Sequence, residues 1–119
     1  MENDMERLFT KAEQEQMLKN GRQTQEDHIG NHPPVVKLFM PDGPATWLLS
    51  EIDPEDPDFA FGLCDLGLGF PEMGYVSLSE LAGIRGTLGL PIERDLHFTA
   101  EKDLMSYAED AQSSGRIAV

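Results

Sequence analysis

Residues that would mark chemistry are scarce in this chain of 119 residues. A single cysteine, Cys64, excludes an internal disulfide, suits a reducing compartment and leaves no cysteine pair for a structural zinc site. The three histidines, His28, His32 and His97, are not placed as metal ligands. Gly30 and Asn31 separate the first two, and Pro33 and Pro34 follow, so a helical i, i+4 zinc pair is not expected. No apolar run approaches the ~18 residues of a membrane span. The opening "MENDMERLF" is acidic and lacks a basic-then-apolar signal pattern, so a cytoplasmic location is expected. No activated serine, cysteine or lysine signature is present, and no metal or cofactor motif. The chain is therefore read as no enzyme, with no cofactor.

Positive charge is the scarcest property of all. Lys and Arg number 9 against 22 Asp and Glu, a formal charge of −13. Between Lys37 and Arg85 there is no basic residue, while Asp42, Glu51, Asp53, Glu55, Asp56, Asp58, Asp65, Glu72 and Glu80 all lie there. Such a field draws in basic partners and repels polyanions, which excludes nucleic-acid binding through phosphate contacts. The expectation is one contiguous acidic face with few internal ion pairs.

What is present reads as an α+β domain. Residues 1–8 are taken as a flexible lead-in, 9–110 as a single domain and 111–119 as a flexible tail. Thr10 and Glu13 fit a capping box, and Gly21 is placed as the terminator of the helix they start. Residues 22–34, broken by Gly and Pro, read as a loop. Then "VVKLFM", "ATWLLSEID" and "FAFGLCDLG" read as strands, separated by "PDGP" and by "PEDPD", whose prolines deny ladder donors. In the second of these, alternation puts Leu48, Ser50 and Ile52 on one face and Trp47, Leu49, Glu51 and Asp53 on the other. A brief extended piece at Tyr75 follows. Ser77 and Glu80 then begin a second helix ended by Gly86, "IERDLHFT" forms a last strand, and Thr99 caps a terminal helix. The sum is an antiparallel sheet of about four or five strands with short flanking helices.

The segments "VVKLFMPDGPATWLLSEID", "FAFGLCDLG", "EMGYVSLSELAGI" and "LPIERDLHF" together resemble a bacterial family, the domain of unknown function 2958. The likeness spans roughly residues 35–98 and is carried by Trp47, Glu51, Asp53, Phe61, Gly62, Gly74, Tyr75 and the block Ile92 to Asp95, among others. It implies an accessory protein of plasmids, conjugative elements or phages, found near genes for transfer or for countering host defence. It supplies no catalytic residues.

Several sites are weighed against plain structural roles. Counted from Asp53 as a calcium loop, the sixth position is Asp58 rather than Gly and the twelfth is Cys64 rather than Glu, so the template fails. Glu51 with Asp53, and Glu93 with Asp95, sit at i, i+2 on strands. Either pair meets the ~5–9 Å that paired-carboxylate catalysis needs, but so does almost any strand bearing two acids. Arg94, between Glu93 and Asp95, is expected to point away from both and pair with carboxylates of a neighbouring strand, the acidic hairpin among them. For recognition the residues chosen are Trp47, Glu51, Asp53, Glu55, Asp56, Asp58 and Tyr75. The function expected is a non-enzymatic acidic module that binds a protein partner with a basic surface, with no nucleic acid and no membrane as partner. The alternatives are a DNA-mimic that occupies a basic groove and, behind it, a carboxylate-dependent enzyme or divalent-cation domain.

Overall fold

The computed structural model describes residues 4–119. Of the lead-in, residues 1–3 therefore lie outside the described residues, Asp4–Arg7 form a 3-10 helix, and Leu8 and Phe9 are buried. Helix α1 (Lys11–Asp27) starts with the capping box: Thr10 Oγ1 accepts from the Glu13 amide at 3.1 Å, and Glu13 Oε1 accepts from the Thr10 amide at 2.7 Å.

The helix does not stop at Gly21. It continues to Asp27, and His28, left-handed at φ 61°, closes it by donating its amide to Thr24 O. Gly21 serves another purpose. A Cβ there would sit 2.0 Å from the carbonyl oxygen of Ile52, so glycine lets the helix backbone lie directly against a strand. Next to it, Asn20 Nδ2 donates to Ser50 O at 2.9 Å. Met17, Asn20 and Gly21 form the buried stripe of α1.

The described residues make one five-stranded antiparallel sheet in the order β4-β3-β2-β1-β5. The strands are β1 (Val36–Phe39), β2 (Thr46–Ile52), β3 (Phe59–Asp65), β4 (Glu72–Ser77) and β5 (Glu93–Arg94). The first four follow one another as a meander. Helix α2 (Leu78–Gly83), capped by Ser77, then begins the return that lays β5 on the far side of β1. The last strand is much shorter than its sequence pattern: Asp95 Oδ1 accepts the His97 amide at 2.9 Å, and this side-chain turn ends the pairing.

A bulge overturns the alternation expected in β2. Leu49 pairs with Gly62 but Glu51 pairs with Phe61, which leaves Ser50 without a partner in the register. Everything after Ser50 therefore changes side. Ile52 joins Trp47 and Leu49 in the core beneath α1 and α2, together with Met17, Ala60, Leu78 and Leu81. Glu51 moves to the opposite face, which carries Leu48, Leu63 and Phe61. There helix α3 (Leu104–Ser114) packs Leu104, Tyr107, Ala108 and Ala111 against Leu48 and Leu63.

The cap of α3 is Asp103, not Thr99. Asp103 Oδ1 accepts the Ser106 amide at 2.8 Å, while Tyr107 Oη accepts the Glu101 amide at 2.9 Å and keeps residues before Asp103 out of the helix. The helix ends on Gly115, and the Ile117 amide beyond it donates to buried Asp65.

Candidate functional site

Where β2 ends, β1 has not yet begun to cover it, and the last turns of α1 occupy the vacated edge. This juxtaposition makes the site. Thr24 continues the buried stripe of α1 and donates its hydroxyl to Glu51 Oε2 at 2.7 Å. With that proton committed, Thr24 Oγ1 accepts from His32 Nε2 at 3.2 Å, and His32 Nε2 also lies 3.7 Å from the same carboxylate oxygen. Glu51 is only 4 % exposed. Burial raises its pKa above the ordinary glutamate range, the Thr24 hydroxyl and His32 oppose the shift, and the charges of Asp27 and Asp53 add to it.

Glu51 forms part of the floor of a cleft of about 500 Å³, whose walls include Thr24, His28, Asp53, Glu55 and Tyr75, and no Lys or Arg. Tyr75 is 58 % exposed, with its ring edge-on to Phe61 at 5.1 Å between centroids. Partial burial, then the charges of Glu51 and Asp53, raise its phenol pKa. Helix α1 has no basic residue in its last turn and delivers its negative dipole end to the same place.

The β2–β3 connection is built from its own acids. Asp53 accepts the Glu55 amide at 2.9 Å, and Asp56 accepts the Asp58 amide at 3.4 Å. Asp58 also clips the connection to the start of α2, accepting the Ser77 hydroxyl at 2.7 Å and the Ser79 amide and hydroxyl at 3.0 Å. Those bonds, the Ser77 hydroxyl first, lower its pKa. Asp58 is thus a structural clip, while Glu55 and Asp56 are exposed.

The nine carboxylates between Lys37 and Arg85 do not make one face. Glu51, Asp53, Glu55, Asp56, Asp58 and Glu80 gather at the end of the sheet holding the cleft; Asp42, Asp65 and Glu72 lie at the other. Among the described residues, none of the nine is paired with a Lys or Arg. Also among the described residues, no group of three or more His, Cys, Asp or Glu is arranged to hold a metal ion, and no helix is long and apolar enough to cross a membrane.

Trp47 and Arg94 lie elsewhere than their sequence context suggests. Trp47, chosen as a recognition residue, is 3 % exposed and packed in the hydrophobic core, so it cannot meet a partner. Arg94 does not face the acidic hairpin; its guanidinium lies 3.8 Å from Glu13, the capping carboxylate of α1. Asp95 pairs with Lys37 at 3.3 Å, and Glu93 is exposed.

Residues 8–118 match the model of a family described as "Protein of unknown function (DUF2958)". The chain belongs to that family. No curated protein and no solved structure matches it. In this DUF2958 domain the residues that the sequence did not point to are Thr24 and His28, which line the cleft, and His32, which backs Thr24 and Glu51. A signal for Thr24 was there: Met17, Asn20, Gly21 and Thr24 fall at i, i+3, i+4 and i+7, a helical stripe that runs through the glycine.

Proposed function

We propose that this DUF2958 domain is a non-enzymatic, acidic protein-binding module that docks a partner with a basic surface at the cleft formed by the end of α1, the β2–β3 connection and Tyr75. The observation that carries this reading is the absence, among the described residues, of any Lys or Arg paired with the six carboxylates at that end. Unanswered charges of one sign in and around a concave site focus the field and raise association rates by ~10–1000-fold with oppositely charged partners. Tyr75 supplies what bulk charge lacks, an exposed ring over which a cationic side chain gains a further attraction. Polyanions meet the same field as a barrier, so nucleic acid is not the partner. A role as an accessory of a mobile element rests on the family resemblance alone, and a cytoplasmic location on the lone Cys64 and the acidic opening of the sequence. DNA mimicry is not adopted: the division of the nine acids between opposite ends of the sheet lacks the continuous track that phosphate imitation requires.

The test is affinity capture from a host lysate, comparing the parent with the triple variant D53N/E55Q/D56N at low and high salt. The parent is expected to retain a basic protein at low salt and release it at high salt, and the variant to retain little. Equal capture by both proteins, or capture indifferent to salt, counts against the reading.

A further inference from the structure

Beside the cleft, the sheet ends in an open strand. β4 pairs with β3 without a break, from Phe59↔Ser77 to Cys64↔Glu72, and among the described residues no strand pairs with its outer side. Exposed edges are normally blunted by lysine, internal proline, a bulge or a covering element. β4 carries no lysine, no internal proline and no register shift. Met73 and Tyr75, on one face, are 41 % and 58 % exposed, and Phe70 just before them is 79 % exposed. A Cβ placed on Gly74 would touch nothing within 4 Å, so the other face is open at mid-strand as well.

Charge decides what this edge accepts. A second copy would bring another chain of formal charge −13 against the first. A basic segment meets attraction at both ends instead. Glu72 begins the strand, and Ser77, which ends it, is hydrogen-bonded to Asp58 beside Glu80 and the cleft. Apolar side chains lie between those poles.

We infer that β4 takes an extended segment of the basic partner as a sixth strand, with an apolar centre seated on Met73 and Tyr75 and lysine or arginine residues flanking it. Main-chain bonds to the free edge supply affinity, and the acidic ends set the charge pattern of the segment. This deepens the basic-partner reading and rests on it.

The probe is a short peptide of alternating valine and threonine flanked by lysine pairs, with a glutamate-flanked version as control. Hydrogen exchange of the full chain is followed with and without each. The lysine-flanked peptide is expected to slow exchange across Glu72–Ser77, the control to have no effect, and the variant M73K/Y75K to bind about tenfold more weakly, the loss of an aromatic anchor. Circular dichroism confirms that the variant is folded. Binding with slowed exchange confined to residues 24–28 and 51–58 overturns the edge pairing while leaving the basic-partner reading intact. Protection of β4 that grows with protein concentration alone makes a second copy the occupant and overturns the inference. Failure of the lysine-flanked peptide to bind does so too, and the lysate capture then decides separately whether a basic partner exists.

Discussion

Replacing Gly21 by alanine tests how α1 is seated on the sheet. In an ordinary helix interior the change stabilises by about 1 kcal/mol, because glycine has the poorer helix propensity. Here the new Cβ would lie 2.0 Å from Ile52 O and 3.1 Å from the carbon that bears it, where ordinary contact begins at 3.4 Å. The obstacle is backbone and cannot swing aside, so the helix must retreat by about 1.4 Å along that line. Overpacking of this kind costs ~1–3 kcal/mol. The retreat also stretches the buried bond from Asn20 to Ser50 O, worth about 1 kcal/mol. Net destabilisation of about 1–3 kcal/mol is expected once the helix gain is subtracted. Gly83→Ala is the control, since a Cβ there meets nothing within 4 Å, and it should change stability by no more than ~0.5 kcal/mol. Urea denaturation of the three proteins measures both effects. If G21A proves as stable as the parent, α1 does not abut β2 as described and the cleft loses one wall.

Two further outcomes follow from the titrating groups. Folding raises the Glu51 pKa, so the folded chain takes up this proton more readily than the unfolded one. Its cost to stability is present at neutral pH and fades as pH falls through the raised value towards the unfolded pKa of about 4.3. E51Q should therefore melt higher than the parent at neutral pH, with the gap narrowing as pH falls into that window. Asp58 titrates alike in both proteins and cancels, so a gap that stays constant refutes the burial account. Burial pushes the Cys64 thiol up to about 11, leaving about one molecule in a thousand as thiolate at pH 8. Native protein should react with a thiol reagent far more slowly than denatured protein, and equal rates would contradict the position of Cys64.

The elements that local patterning controls were legible in the sequence. The Thr10–Glu13 box, the Ser77 cap and the hairpin around "PEDPD" all form, because capping and turn chemistry act over a few residues. What escaped was set by partners distant in the chain. Gly21 looks like a terminator until Ile52 is placed against it. Ser50 alternates faultlessly with its neighbours, and only the pairing of β3 reveals that it is skipped. Trp47 resembles an exposed anchor until the core closes over it. The acidic rim of the site could be read from composition, whereas the Thr24, His32 and Glu51 chain required the helix to run past its glycine.

The most direct test of the account is the salt dependence of affinity for the captured partner, measured by calorimetry on the parent and on D53N/E55Q/D56N. The parent should weaken steeply as ionic strength rises, and the variant should start weaker and change little. Parallel curves for the two proteins would show that the acidic end does not hold the partner.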